Sequence, residues 1–529
     1  MSRPDRPWYL MEERQVFSRS LLWDLQRSYF SSRGVDAWRQ GEVPHYITSN
    51  PTIARAYAEM IFAFRQDQER VAPGSEPIHV CELGAGCGRF AFHFLRRLLQ
   101  LCRESGTAPE GFRYILTDFT QSNLDAWRRH PRFLPFFEIG LLDMALFDLD
   151  GSIELALQVG GGALTPGALQ RPLAVIANYV FDGVPQDLFY FKDGIAHHCL
   201  VSLASPQDPG TVDVAELLDG IRARYEYQRL HDEPYEEAEL NAMVDGYRRG
   251  LNDAHVFFPA TGLRCLRRLK ALSQAGLILL SADKGNHRLS RIAQKSPPRL
   301  ATHGSFSVSV NYHAFQSFCE QTGGTALVQE YPHQGIEVIC LLMVKGAEDC
   351  VATRQAYRNH VAEFGPDDFF TLTKRFERLL AEMSVAEILS YMRFNHYDAH
   401  GLVRVIPRLI ELAPELSEDE ISALRSTMDR TWEEYFTLGE AWDLAFAIGC
   451  FLYEANDFRA ALSYFERAQE IYGRDTGSLY NMAVCHRMLN QPRQARALLQ
   501  SVIETDPANE QARAQLNEVA CEETAMEDA

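Results

Sequence analysis

The feature that most constrains the fold is a short apolar run that ends in an acid and three alternating glycines. Residues 78–92 read IHVCELGAGCGRFAF, so Glu82 closes the run and Gly84, Gly86 and Gly88 follow it. The next residues, RFAFHFLRRLLQLC, repeat apolar side chains four apart, which is the spacing of one buried helix face. The pattern predicts a strand, a tight glycine turn and a helix, which is the first unit of a doubly wound α/β domain.

The glycine spacing indicates which cofactor the turn could bind. A dinucleotide fingerprint, G-x-G-x-x-G, needs its third glycine at the position of Arg89. The observed E-x-G-x-G-x-G is typical of motif I in class I S-adenosylmethionine (SAM) methyltransferases. Glycine lets a ligand approach the backbone without a Cβ in the way. We therefore expect Glu82 and the three glycines to bind SAM, with a purely structural turn as the alternative.

A second acidic residue follows the next apolar run. Residues 112–119 read FRYILTDF, and Asp118 ends this predicted second strand. In open parallel sheets, ligands bind at the carboxyl ends of the strands, where a carboxylate can accept hydrogen bonds from both ribose hydroxyls. We expect Asp118 to bind the cofactor, with an N-cap of the helix at 120–129 as the alternative.

The remaining apolar runs predict a seven-stranded sheet. The segment IGLLDMALFDLD contains the third strand. There, Asp143 and Met144 resemble the acidic-apolar pair that binds adenine in class I SAM methyltransferases; Asp148 is a rival candidate. LAVIA at 173–177 and GLILLSAD at 276–283 predict buried fourth and fifth strands. TALVQEY and IEVICLLMVKG then predict an antiparallel pair that closes the sheet.

The rest of the chain divides into segments of different character. Residues 1–75 are predicted to be helical, and residues 76–350 to form the α/β domain. About a hundred residues separate strands four and five, and the stretch of about 205–260 is predicted to be a helical cap insertion. Residues 351–380 are predicted to be a linker helix, and the acidic residues 521–529 a disordered tail.

Residues 381–520 lack strand patterns and contain an internal repeat. Gly449 aligns with Ala483, and Ala461 with Ala495, at a period of thirty-four. This period and the small residues at helix crossings are typical of tetratricopeptide repeats, so we predict an all-α solenoid. His396 and His400 stand on one predicted helix, but without a third ligand nearby we expect no metal site.

Charge and composition restrict the partners. The formal net charge of −19 argues against nucleic acid, which needs a concentrated basic surface. There is no apolar run of about eighteen residues that would cross a membrane, and no signal peptide in MSRPDRPWYLMEER. Eleven cysteines without a CxxC pair fit reduced thiols. We expect a cytoplasmic protein that contacts neither nucleic acid nor membrane.

A set of motifs resembles one known family. YITSNP, ELGAGCGRF, LTDFTQSNL, IANYVFDGVP, LILLSADKG and SVNYHAF occur in the order and spacing of the MidA-like family of SAM-dependent methyltransferases. That family includes a mitochondrial complex I assembly factor that methylates protein arginines. Its Asn-Glu-x-x-Asp-x-x-Pro pattern is matched by Asn178, Asp182 and Pro185, while Tyr179 replaces the glutamate; Asn311 also departs from the family histidine.

The resemblance implies roles for two residues near the fourth strand. An arginine acceptor, whose pKa exceeds about 12, needs a carboxylate to orient it and receive its proton. Asp182 is the candidate for that role and Asn178 for holding the acceptor nitrogen, with a structural turn carboxylate as the alternative for Asp182. We predict a methyltransferase acting on a protein, with arginine as the candidate side chain and the repeats recognising the protein. The alternative is a SAM-binding assembly factor or scaffold with reduced or lost activity.

Overall fold

The chain forms two compact units. The structure is a computed structural model that describes residues 8–39, 46–74, 76–298, 300–302 and 305–527 of the 529-residue chain. The first unit is Met1–Thr371 and the second is Leu372–Ala529. This boundary lies inside the segment 351–380 that the sequence suggested as a linker.

The first unit is built on a seven-stranded sheet. Its strands in chain order are β1 (Ile78–Leu83), β2 (Phe112–Asp118), β3 (Leu142–Leu146), β4 (Leu173–Asn178), β5 (Gly276–Asp283), β6 (Thr325–Leu327) and β7 (Glu337–Val344). Their order across the sheet is β6-β7-β5-β4-β1-β2-β3. Strands β1 to β5 pair in parallel, and β7 runs antiparallel to both β5 and β6. This is the class I methyltransferase topology, as the sequence predicted.

Continuous apolar runs explain why these strands are central. Every residue of β5 and of β7 is buried, because helices cover both faces of a parallel sheet. In the helix Arg89–Ser105, the predicted inner face is buried, including Phe90, Phe94 and Leu98. The sheet core therefore follows directly from the apolar spacing.

The insertion between β4 and β5 is a second sheet rather than the predicted helical cap. Its strands are Asp187–Lys192, Ile195–Ser205, Arg222–Arg229 and Ala254–Phe258, joined by Tyr9–Val16 from the N-terminal region. The helical prediction was wrong for RARYEYQR, where apolar or aromatic and polar side chains alternate with the period of a strand. The α-helices of this insertion are Val214–Gly220, Ala238–Gly250 and Ala260–Lys270.

The N-terminal region contains helices and also contributes that strand. Asn50 caps the helix Pro51–Val71 by accepting hydrogen bonds from the N–H groups of Thr52 and Ile53. Predictions for residues 1–7, 40–45 and 75 lie outside the described residues. The other helices of this unit are Leu21–Arg33, Asp36–Arg39, Tyr46–Ser49, Gln121–Arg129, Leu134–Glu138, Leu289–Ile292, Tyr312–Gln321 and Val351–Tyr357.

The segment that follows β7 belongs to the first unit. Buried Asp67 accepts hydrogen bonds from the N–H groups of Ala352 and Thr353, so it fixes the start of the helix Val351–Tyr357. Tyr357 then donates to the Val338 carbonyl of β7 at 2.9 Å. The segment 351–380 is helical at Val351–Tyr357 and Pro366–Phe376, and its first helix is anchored by Asp67, a charge far away in sequence. The helix Pro366–Phe376 crosses the boundary between the units.

The second unit is all α-helical in the part that the structure describes. Its helices are Val385–Phe394, Ala399–Leu412, Glu418–Glu434, Leu444–Glu454, Phe458–Tyr472, Thr476–Met488, Pro492–Thr505 and Glu510–Glu527. At the first predicted crossing, a Cβ on Gly449 would lie 2.6 Å from the Phe465 ring. The predicted disordered tail is instead helical as far as Glu527; residues 528–529 lie outside the described chain.

Candidate active site

The turn after β1 holds its three glycines in left-handed backbone conformations. Gly84, Gly86 and Gly88 have φ values of +57°, +55° and +83°, which other residues rarely adopt. A Cβ on Gly86 would also lie 2.8 Å from the Trp38 ring. The Trp127 indole N–H donates a hydrogen bond to the Gly86 carbonyl at 2.9 Å, and this bond stabilises the turn.

Glu82 stabilises the base of this turn from a buried position. The Tyr114 hydroxyl donates a hydrogen bond of 2.8 Å to the Glu82 carboxylate. Burial raises the pKa of Glu82 to about 8, because removal from water disfavours the charged form. Glu82 does not line the cleft described below. Its predicted direct contact with a cofactor therefore remains a prediction.

Asp118 links the glycine turn to the end of β2. One carboxylate oxygen accepts from the Gly86 N–H at 3.3 Å and from the Asn123 amide at 2.9 Å. The other accepts from both the N–H and the hydroxyl of Thr120, which is itself the N-cap residue of the helix Gln121–Arg129, so Asp118 is not the N-cap. Burial raises the pKa of Asp118, and these hydrogen bonds oppose the shift. Beside it, the buried Oδ1 of Asn123 has no hydrogen-bond partner in the structure.

Asp143 and Met144 do not line the cleft, so their contact with an adenine stays a prediction. Asp143 is the second residue of β3, three residues before its last residue, Leu146. Its carboxylate accepts from the N–H groups of Met144, Val159 and Gly160 and from Arg113. The acidic-apolar pair therefore stabilises a loop. The rival Asp148 follows β3 and forms an ion pair with Arg27.

A cleft lies where the strand order of the main sheet reverses. Moving from β1, the sheet continues to β2 on one side and to β4 on the other. The cleft encloses about 970 Å³ of empty space, part of it open to solvent. Residues from four strand ends and from the N-terminal helices line it, including Gly84, Asp118, Asp182, Lys284, Phe30 and Trp38. Ligands bind at such switch points in open α/β sheets.

The residues after β4 divide between the cleft and the interior. Tyr179 lines the cleft with a left-handed backbone, φ +51°, and its N–H donates to the Ala282 carbonyl. Asn178 does not line it: the Tyr57 hydroxyl donates to its Oδ1 at 3.0 Å, and its amide donates to the Thr48 carbonyl at 3.4 Å. The structure thus separates Asn178 from the position expected of an acceptor-binding group.

Asp182 lines the cleft as part of a buried acidic pair. The carboxylate of Asp283, the last residue of β5, accepts a hydrogen bond from the Asp182 N–H at 3.2 Å, and the two carboxyls shift each other's pKa. Burial raises the pKa of Asp182 to about 6, while nearby Lys284 opposes the shift. Burial and the neighbouring Asp182 charge raise the pKa of Asp283 further. If the two carboxyls share one proton, the repulsion between two buried negative charges is avoided.

Lys284, Asn123 and Trp38 line the cleft, and Asp283 supports Asp182 from a buried position; our sequence reasoning missed all four. Asp283 ends an apolar run in GLILLSADK, which is the same signal that identified Glu82 and Asp118.

Among the residues that the structure describes, no cluster of three or more His, Cys, Asp or Glu could hold a metal ion. No described helix is both long and apolar enough to cross a membrane.

Comparisons with known proteins assign the repeats and supply structural neighbours. Residues 452–517 match the tetratricopeptide repeat family. No curated protein matches the chain. The chain is similar to two COG1565 superfamily proteins of Burkholderia thailandensis. The first is an uncharacterized protein, with 15% sequence identity and a TM-score of 0.37. The second is a likely methyl transferase bound to S-adenosyl-homocysteine, with 14% sequence identity and a TM-score of 0.39. Each match covers 64% of this chain and 90% of the other. The chain is also similar to the CurJ carbon methyltransferase, with 12% sequence identity and a TM-score of 0.25. That match covers 52% of this chain and 51% of the other.

Proposed function

We propose that this chain is a SAM-dependent methyltransferase that acts on a protein. The observation that carries the proposal is the composition of the cleft at the switch point. Gly84 and Asp118 line it beside the glycine turn, and Asp182 lines it beyond β4. A site for a nucleoside-like ligand thus adjoins a carboxylate that can receive a proton.

The residues of the turn fit SAM. Gly84 lines the cleft without a Cβ, the Trp38 ring packs against Gly86, and Asp118 accepts a hydrogen bond from the Gly86 N–H. The partnerless Oδ1 of Asn123 is an acceptor beside Asp118, so the two residues together can receive the two ribose hydroxyls. When bound, SAM supplies a methyl group on a positively charged sulfur. Phe30, Trp38 and Phe119 add apolar surface around this end of the cleft.

The acceptor group is assigned to the Asp182 side. Asp182 in its ionised form attracts a positively charged acceptor and receives the proton that leaves the acceptor nitrogen. Asp283 holds Asp182 in place, since its carboxylate accepts from the Asp182 N–H at 3.2 Å. A protein substrate is supported by the tetratricopeptide repeats at 452–517, because such repeats bind proteins. Arginine is the candidate side chain, on the resemblance to the MidA-like family.

We place the protein in the cytoplasm. All eleven cysteines are free thiols, and ten of them are buried or partly buried. Disulfides are the rule in small secreted proteins and are rare in the reducing cytosol.

The test is transfer of radiolabelled methyl from SAM to proteins of a cell lysate by the purified full-length chain. The proposal expects a labelled protein band that depends on Asp182, with label in methylarginine after hydrolysis. Asp182→Asn, which preserves shape, is the control for contaminating enzymes. Label in another amino acid would refute arginine and keep the methyltransferase.

The alternative function is a SAM-binding scaffold whose chemistry is lost. Tyr179 favours it, because this residue stands on the cleft wall where the MidA-like family has a glutamate. SAM binding by calorimetry without turnover in any lysate fraction would support the scaffold. Gain of arginine methylation by Tyr179→Glu would indicate a decayed enzyme, whereas an enzyme with its own substrate should be unaffected or impaired.

A further inference from the structure

A second cavity lies in the C-terminal unit, outside the residues that match the tetratricopeptide repeats. It is an open groove of about 1050 Å³ between the helix Val385–Phe394 and residues 376–383, which precede that helix. One face of this helix forms its floor, through Ala386, Ser390 and Phe394 at intervals of four. A groove that follows two helical turns is suited to a peptide segment rather than to a compact small molecule.

One end of the groove is aromatic. The rings of Phe376 and Tyr391 lie 5.8 Å apart between centroids, and those of Phe376 and Phe394 lie 5.5 Å apart, both edge to face. Tyr391 is buried, and Phe376 and Phe394 are half-buried. Rings held in this way form a rigid apolar wall that a large side chain can contact with little loss of conformational freedom.

The other end carries two carboxylates, Glu382 and Glu387. Glu387 accepts hydrogen bonds from the N–H and hydroxyl of Ser384, and these bonds lower its pKa, so it is ionised at neutral pH. Within the described chain, neither glutamate forms an ion pair. The arginines beside the groove contact other groups: Arg393 donates to Ser390 at 3.0 Å, and Arg408 pairs with Glu411.

We propose that this groove binds a segment of a partner protein that presents a large apolar side chain beside an arginine or lysine. The apolar side chain contacts the aromatic end, and the cation lies between Glu382 and Glu387. Both features are required: the apolar surface supplies affinity, and the two carboxylates select the charge and orient the segment. The proposal does not depend on methyl transfer, since every residue of the groove lies in the C-terminal unit.

The test is selection of a random displayed peptide library on the full-length protein. We expect the enriched sequences to share a Leu, Phe or Met near an Arg or Lys. The best peptide, fluorescently labelled, is then titrated by anisotropy. Ala386→Trp, which fills the groove from an exposed position, is expected to abolish binding. Glu382→Gln combined with Glu387→Gln is expected to weaken it about tenfold, because two ion pairs are lost.

The controls separate binding from folding. Glutamine retains the capping hydrogen bonds of Glu387. Glu420 forms the same capping box with Ser417 on a different helix, so Glu420→Gln is the matched control and is expected to bind normally. Absence of enriched peptides would overturn the proposal. Enriched peptides that lack a basic residue, or that bind Ala386→Trp as tightly as the native protein, would also overturn it.

Discussion

The carboxylate of Asp283 accepts a hydrogen bond from the backbone N–H of Asp182 at 3.2 Å. This contact joins the end of β5 to the turn that follows β4. It also brings two buried carboxyl groups together on one side of the cleft, with Lys284 beside them. The consequence is an acid whose protonation changes within the ordinary working range of an enzyme.

The first prediction concerns Asp182 and pH. Because burial raises the pKa of Asp182 to about 6, its proton-accepting form is lost as pH falls through that value. Methyl transfer should therefore rise with pH through about 6 and then level off. Asp182→Asn should lower kcat about a hundredfold, with SAM affinity retained. Steady-state rates and calorimetry measure the two effects, and an unchanged rate would remove Asp182 from catalysis.

Asn178→Ala provides a contrast. Since Asn178 bonds to Tyr57 and to the Thr48 carbonyl rather than facing the cleft, its loss should lower thermal stability. A buried polar group that loses its hydrogen-bond partner lowers the free energy of unfolding by about 1–3 kcal/mol. A large fall in kcat at unchanged melting temperature would contradict this and restore the catalytic role inferred from the sequence.

A second prediction concerns the glycine turn. Gly86→Val should abolish SAM binding, because its side chain would meet Trp38 and close the approach to the backbone. Gly140→Val is the matched control: it has a similar φ, +69°, but nothing lies near its Cβ. Asp118→Ala should weaken binding by roughly 2–5 kcal/mol. Full-strength SAM binding by Gly86→Val and Asp118→Ala in calorimetry would refute the cofactor site.

The third prediction concerns Glu82 and stability. The pKa of this group is about 8 in the folded chain and has an ordinary value of 4.5. Between these values the folded state keeps a proton that the unfolded state releases, so rising pH destabilises the native protein. The slope is up to about 1.4 kcal/mol per pH unit. Glu82→Gln, which stays neutral, should therefore gain stability relative to the native protein from pH 5 to 8. The prediction is wrong if urea unfolding gives the same stability difference between Glu82→Gln and the native protein at pH 5 and at pH 8.

A fourth prediction concerns the boundary between the units. A fragment that ends at residue 350 lacks the helix Val351–Tyr357 and leaves buried Asp67 without its N–H partners. It also loses Asp367, which accepts from the N–H groups of Gln334, Gly335 and Ile336. The 1–371 fragment should be folded by circular dichroism, and the 1–350 fragment should unfold or aggregate. Equal melting temperatures for the two would show that this segment is dispensable.

The sequence by itself determined the sheet, the turn and the repeats. Each follows from local spacing: apolar runs in β1 to β7, glycines at 84, 86 and 88, and small residues thirty-four apart. Their physical causes act within a few residues, or repeat along the chain, so they can be read without coordinates.

Only the tertiary structure decided which of the acidic residues lie on the cleft. Asp118 and Asp182 do, whereas Asp143 is bonded to Arg113 and to the loop at 159–160. Asp67 meets its partners about 285 residues further along the chain. Such contacts depend on how distant segments are brought together, and no local pattern encodes them. The same reason applies to Arg222–Arg229, whose alternating pattern becomes a strand because Ile195–Ser205 pairs with it.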